Sequence, residues 1–314
     1  MLIMRALIIH NPSSGMNNHR AALDAAMEAL RALAWQVDAR ETQGGGDATR
    51  FARQAAEEKL DAVFALGGDG TLNEVANGVL NTQTAIGVLP LGTANVWALE
   101  MGLPLDDLAR AARLQAQGGV RRIDVGVAQG NGFAPRAFLL SCGAGLDAAV
   151  IRQVEQDRDN KRRFGKLFFL AIGFREALQY RGRRVQVKVD GITYRRRVLL
   201  ALTSNAQLYG AMVRLPPMAQ IDDGLLDVTL LHGDNVFNTL WHFVRLGAGF
   251  FEREADIEHH RGRAIEIRGD IVPVHVDAEP VGTTPVQIRI KPRALRVLVP
   301  ETANRNLFKS VIVR

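Results

Sequence analysis

The sequence predicts a two-domain α/β protein, an N-terminal parallel sheet covered by helices followed by a β-rich second domain. Three observations carry this. Over residues 1–125 apolar strand patterns alternate with Ala/Leu-rich helical ones, the rhythm of a parallel sheet with helices on both faces. Beyond Gly126 the pattern changes to short segments of alternating apolar and polar residues, the signature of antiparallel strands. And 314 residues are too many for one small core but fit two domains of ordinary size.

Taken in order, Leu2–Ile9 is a continuous apolar run and reads as a buried first strand. It is too short for a secretory segment, and no small-residue cleavage site follows. A helical pattern runs from about Ala21 to Leu33, then a strand at Val37–Arg40, a helix at Ala48–Glu58 and a strand at Asp61–Leu66. A helix at Leu72–Leu80, a strand at Ala85–Leu89 and helices near Ala94–Glu100 and Leu105–Gln117 complete the first half. In the second half strands are expected at Ala137–Leu140, Val185–Asp190, Tyr194–Leu202, Leu225–Leu231, Ala264–Arg268 and Val286–Ile290. Helical inserts are expected at Phe164–Tyr180 and Val236–Phe251, and a last strand at Leu295–Val299. The expected domains are 1–127 and 128–300, with a tail at 301–314.

Composition excludes several classes. Hydrophobic residues make 47% and charged residues 23% of the chain, a soluble globular balance. No apolar run reaches bilayer-spanning length. Cys142 is the only cysteine, so no internal disulfide forms, as suits a reducing cytoplasm. His259-His260 stands without the neighbours a zinc site needs. The net charge of +6 is unevenly spread: residues 1–125 carry 11 Lys/Arg against 14 Asp/Glu, residues 126–314 carry 28 against 19. A basic second half points to an anionic partner, nucleic acid or a membrane surface, or else to solvated arginines.

The chemistry concentrates in loops. Gly67-Gly68-Asp69-Gly70-Thr71 joins an apolar strand to a helix. Glycines there let the backbone approach a ligand, and a helix N-terminus offers N–H groups and a positive dipole end to phosphate. Asp69 beside phosphates makes sense as an organiser of magnesium; a plain tight turn with Thr71 as helix cap is the competing reading. Asn11-Pro12-Ser13-Ser14-Gly15 and Pro90-Leu91-Gly92-Thr93-Ala94-Asn95 follow the first and fourth strands. Ligands of parallel sheets bind at the carboxyl ends of strands, and three such loops share that end. Late in the chain, Asp277 and Glu279 leave one face of a strand if Val274–Glu279 stays extended.

Asn11-Pro-Ser-Ser-Gly15, Gly67-Gly-Asp-Gly-Thr-Leu-Asn-Glu-Val75 and Leu91-Gly-Thr-Ala-Asn95 together resemble the diacylglycerol kinase catalytic-domain family, which includes sphingosine, ceramide and bacterial lipid kinases. Arg122–Gly126, Gly143–Ala148, Asp223–Asp227 and Val276–Glu279 continue the likeness in order over nearly the whole chain. The resemblance implies an α/β nucleotide domain of NAD kinase/diacylglycerol kinase type, a β-rich lipid domain, and a site between them. It implies ATP along Gly67, Gly68, Asp69, Gly70, Thr71 and Asn73, with Asn11, Thr42, Glu74, Gly92 and Thr93 also at the nucleotide site. It implies a structural magnesium ion at Asp223 and the backbone of Gln220 and Leu225. Asp277 and Glu279, with Asp69, form the implied catalytic set, one of the late pair taking the lipid hydroxyl proton. Ala278 stands where the family has glycine, Val96 where many members have Asp, and Met16 where a basic residue is common.

The expected activity is ATP- and Mg-dependent phosphorylation of a hydroxyl on a membrane lipid, by a cytoplasmic protein peripheral to the inner membrane face. Lys161–Phe169, Arg181–Arg184 and Arg195–Arg197 are the expected contacts to anionic headgroups. No nucleic-acid partner is expected, and a homodimer is. The alternatives are an NAD kinase, which shares the Gly-Gly-Asp-Gly turn, and a non-enzymatic dinucleotide-binding protein based on Gly143-Ala-Gly-Leu-Asp-Ala148. No Walker or protein-kinase motif is present.

Overall fold

A computed structural model describes residues 3–14, 19–157, 166–210, 213–233 and 257–309. The chain divides into two units, one of Met1–Val125 with Pro292–Arg314 and one of Gly126–Lys291. The expected helix at Val236–Phe251, and Gly15, Met16 and Lys161–Gly165, lie outside the described residues.

In the first unit, strands β1 (Arg5–His10), β2 (Gln36–Glu41), β3 (Ala62–Gly67) and β4 (Ala85–Pro90) alternate with helices α1 (His19–Arg31), α2 (Asp47–Glu57), α3 (Asp69–Val79), α4 (Val96–Glu100) and α5 (Leu108–Ala116). All six positions of β3 and of β4 are buried. Such unbroken burial arises where helices cover both faces, and it explains why these strands read as apolar runs without alternation. β1 pairs in parallel with β2 and β3, and β3 in parallel with β4. Ile8, Phe64, Leu66, Leu89, Leu30 and Trp35 share one core cluster. The fifth strand comes from the far end of the chain: Arg296 and Val297 pair in parallel with Ala85 and Ile86. Asp124 fastens this segment by accepting the Arg293 N–H at 2.7 Å, and Leu295, Leu298, Val299 and Leu307 are buried. Residues 292–314 thus belong with the first unit, a placement that local sequence pattern does not reveal.

The second unit takes its strands from β5 (Gly119–Asn131, which begins in the first unit), β6 (Phe133–Phe138), β7 (Ser141–Gly145), β8 (Arg183–Val189), β9 (Ile192–Ser204), β10 (Leu208–Tyr209), β11 (Val213–Arg214), β12 (Leu226–His232), β13 (Ile257–Gly262), β14 (Ala264–Gly269), β15 (Pro273–Val276) and β16 (Glu279–Val299). Helices α6 (Leu146–Gln156) and α7 (Lys166–Gln179) interrupt them. The pairings are antiparallel and close into a circuit, β9 to β8, β14, β16, β15, β7 and back to β9, with β12 and β13 branching from β9. Closure leaves the strands of the circuit without free edges, while β13 ends its branch as an edge strand. β8 alternates strictly, with Val185, Val187 and Val189 buried and Arg184, Gln186 and Lys188 exposed. The inward row packs with Phe138, Val198, Ile265, Ile267, Val274, Val276, Val286 and Ile288. The result is a mixed α/β protein whose second half is β-rich. No helix among the described residues is long and apolar enough to cross a membrane.

Candidate active site

Parallel pairing brings His10 beside Leu66 and Gly67 beside Pro90, so the loops after β1, β3 and β4 emerge at one edge. The edge is tied by backbone bonds, Asn11 N–H to Leu66 carbonyl at 3.1 Å and Leu91 N–H to Gly67 carbonyl at 2.9 Å. The Asn11 side-chain amide donates to Thr71 Oγ1 at 3.1 Å, and its oxygen accepts the Ser13 N–H at 2.9 Å.

Two glycines are required by closeness. A Cβ on Gly67 would fall 2.6 Å from Thr71 Oγ1, and one on Gly92 would fall 2.5 Å from the Gly68 Cα. The loops after β3 and β4 therefore lie backbone against backbone. Asn95, at φ 49°, folds the second loop by accepting the Gly92 N–H at 2.9 Å and donating to the Gly92 carbonyl at 2.7 Å. α3 starts after Gly68 with no side-chain cap. The first amides of any helix lack intrahelical partners, and here they open at the loop edge with the positive end of the dipole.

Asp69 lies where the two loops meet. Its carboxylate oxygens accept the N–H groups of Val96 at 3.0 Å and Trp97 at 3.1 Å. The contact between Gly68 and Gly92 brings the start of α4 onto this carboxylate, which caps α4 and ties the two loops together.

Thr42 is buried, its N–H on the His10 carbonyl at 2.9 Å. Glu74 accepts the Gly46 N–H at 3.0 Å, pinning the glycine run after β2 to α3. Arg50 beside Asp47, with the Gln43 amide, holds the Asp47 carboxyl below its ordinary range. Asn73 is buried and accepts the Asn77 side-chain amide, whereas Thr93 is exposed. The first unit thus gathers Asn11, Thr42, Gly67–Thr71, Gly92 and Thr93 at the carboxyl edge of its strands, and places Asn73 and Glu74 along α3.

In the second unit, Val276 pairs with Glu279, so Asp277 and Ala278 form a two-residue hairpin turn. Both have positive φ, 45° and 61°, the type I′ geometry that suits the twist of a hairpin. The extended segment expected at Val274–Glu279 is therefore corrected: the chain reverses at 277–278, and the acids do not share a strand face. Asp277 is buried and its carboxylate accepts three backbone N–H groups, from Leu139 at 2.9 Å, Leu140 at 2.9 Å and Ser141 at 3.0 Å. Glu279, with 38% of its side chain exposed, pairs with the Arg136 guanidinium. A carboxylate filled by three amides has little left for a substrate proton, whereas one on a half-exposed ion pair can exchange partners. Arg136 carries no motif, so the sequence did not single it out.

The expected magnesium residues lie in the loop before β12. Asp223 accepts the Leu225 N–H at 3.0 Å. Arg261 pairs with both Asp223 and Asp227, the latter at 3.0 Å. Burial pushes the Asp227 carboxyl up to about 6 against the pull of Arg261, and Asp227 Oδ2 is buried without a partner. These are the hard oxygen donors magnesium takes, so the residues fit that ion, which would compete with Arg261. Among the described residues no group of three or more His, Cys, Asp or Glu is arranged to hold a metal.

Residues 5–128 match the family model described as the diacylglycerol kinase catalytic domain, and residues 141–299 the one described as the YegS C-terminal NAD kinase beta sandwich-like domain. The chain is 27% identical over 304 residues to the diacylglycerol kinase of Bacillus subtilis (strain 168), covering 95% of this chain and 97% of that one. It is 27% identical over 313 residues to the diacylglycerol kinase of Staphylococcus aureus (strain MRSA252), covering 98% and 96%. A solved structure of a diacylglycerol kinase from Bacillus anthracis str. Sterne superposes with a TM-score of 0.74 at 24% identity, over 97% of this chain and 100% of that one. A further structure from that organism gives 0.79 at 25% identity with the same coverage.

Proposed function

Because the chain belongs to the diacylglycerol kinase catalytic-domain family, a family of lipid kinases, we propose that it transfers the terminal phosphoryl group of ATP to a free hydroxyl of a diacylglycerol-type membrane lipid. The observation that carries this reading is the Gly68–Gly92 contact, which sets two glycine loops and the N-terminus of α3 at one edge. The amides after Gly68 are proposed to hold the phosphates, with Asn11, Thr42, Thr71 and Thr93 around the nucleotide and Asn73 and Glu74 supporting α3. Asp69 is proposed to act by locking the loops. Glu279 is the proposed base and Asp277 its anchor, since phosphoryl transfer needs positioning and an acceptor for the hydroxyl proton. Magnesium, when bound with ATP, supplies neutralisation of charge on the phosphate oxygens. Asp223, with the carbonyls of Gln220 and Leu225, would hold a structural magnesium ion in place of Arg261.

A lipid substrate requires access to a bilayer surface. Arg184, Lys188, Arg195, Arg197, Arg268 and Arg289 project from one exposed face of β8, β9, β14 and β16. Arg184 stands directly opposite Arg197, a like-charge pairing that weakens a sheet and suits a face that meets anionic headgroups. On this reading the protein works at the cytoplasmic membrane face.

The test is transfer of label from [γ-32P]ATP to a panel of diacylglycerol, phosphatidylglycerol, sphingosine, ceramide and NAD, with and without magnesium. Label in a lipid, dependent on magnesium, is the expected result. Label in NAD alone would make the protein an NAD kinase, and no label in any acceptor would overturn the proposal.

A further inference from the structure

His275 and Asp147 meet above a glycine. In the β7–β15 ladder His275 sits opposite Gly143, and a Cβ on Gly143 would fall 2.2 Å from Asp147 Oδ2 and 2.3 Å from His275 Nε2. Only a residue without a side chain leaves room for the pair. The two are 2.7 Å apart, with His275 2% and Asp147 8% exposed. Asp147 is itself fixed, accepting the Ala148 N–H at 2.7 Å in the first turn of α6 and a hydrogen bond from Tyr209.

The other ring nitrogen reaches the hairpin turn. His275 Nδ1 accepts the N–H of Ala278 at 3.3 Å. Because an amide can only donate, this contact places the ring hydrogen on Nε2, where Asp147 receives it. Ala278 has φ 61°, a region in which a residue with a Cβ is strained. It is also the residue that delivers Glu279. The carboxylate of Asp277 is tied to Leu139–Ser141, and the amide of Ala278 is tied to His275.

We propose that Asp147 and His275 are a positioning pair for Glu279: the carboxylate selects the tautomer, and the tautomer holds the Ala278 peptide that aims the proposed base. Neither residue needs to touch substrate. The inference rests on Glu279 being the base, as proposed above.

Asp147→Asn tests it with nearly unchanged shape. Its side-chain amide can donate to Nε2, which moves the ring hydrogen to Nδ1 and removes the acceptor for Ala278. The expected result is a fall in kcat of about 10- to 100-fold, the usual scale for a partner that orients a working group, with KM for ATP unchanged. Ala278→Gly in the Asp147→Asn background should recover most of the loss, because glycine adopts positive φ without that support. Wild-type kcat in Asp147→Asn, or a loss that Ala278→Gly does not relieve, would overturn the pair's role. Hydrogen exchange of the Ala278 amide is read on the same proteins. Faster exchange in Asp147→Asn than in wild type is expected, and equal exchange refutes the positioning contact independently of catalysis. Faster exchange in a protein that phosphorylates no lipid would instead overturn the kinase assignment alone.

Discussion

Asp277 and Glu279 are separated by one residue and have opposite surroundings. Three amides surround the first, and an arginine and solvent surround the second. Asp277→Ala should therefore behave as a folding variant, since it strands buried N–H groups at a cost of about 1–3 kcal/mol each. Urea denaturation would register a loss of at least about 3 kcal/mol. Glu279→Gln should leave the denaturation curve in place and lower kcat about 10²- to 10⁴-fold, the usual contribution of a positioned proton acceptor; a variant with normal turnover would show that Glu279 is not the base. The sequence displayed both acids but not the difference between them. Alternation predicted an extended segment because Ala278 gives no sign of positive φ where a glycine would have marked the turn. The contact between Asp147 and His275 was equally hidden, since it joins α6 to β15 across 128 positions, and only the glycine at 143 hints that something presses on the strand.

At the scale of elements, the loops after β3 and β4 behave as one piece because Gly68 and Gly92 touch. Gly92→Ala would force a Cβ to within 2.5 Å of a backbone carbon, and backbone cannot swing aside as a side chain can. The expected cost is about 1–3 kcal/mol of stability, with a parallel rise in the dissociation constant for ATP measured by calorimetry. These loops were legible in the sequence because their chemistry is local: a run of glycines at a strand-to-helix junction. Strand β16 was not. It spans 21 residues, but Lys291-Pro292-Arg293 breaks its alternation, so it read as two separate strands. Edge strand β13 is held by Glu258, which receives Arg196 at 2.7 and 3.1 Å and His260 at 2.7 Å. Arg196 foremost, against the opposing effect of burial, keeps the Glu258 carboxyl below its ordinary value of 4.5. A carboxyl lowered in the folded state stabilises above the unfolded value, and the effect fades as pH falls through that value and the folded one. Glu258→Gln should thus lower stability by roughly 1 kcal/mol at pH 7, and the two denaturation midpoints should converge as the pH falls below 4.5.

At the scale of the whole molecule, the first unit is discontinuous, Met1–Val125 completed by Pro292–Arg314, while the second is one uninterrupted stretch. A chain ending at Lys291 would lose the strand on β4 and the buried Leu295, Val297, Leu298, Val299 and Leu307. Limited proteolysis of that chain is expected to cut within residues 1–125 under conditions where the full chain resists; equal resistance would mean that the first unit stands without its last strand. The two-part organisation was visible in the change from helix-and-strand rhythm to alternating segments at Gly126. The return of the C-terminus was not, because a parallel partner 211 positions away leaves no trace in local pattern.

That return has a consequence for how the protein is made. A ribosome releases the chain from its N-terminus, and domains ordinarily fold in the order in which they emerge. Here the first unit waits for its fifth strand until residues 292–299 leave the exit tunnel, by which time the second is wholly synthesised. The unit that begins first is completed second, so in the nascent chain the loops after β3 and β4 are expected to mature only after the unit that bears Glu279.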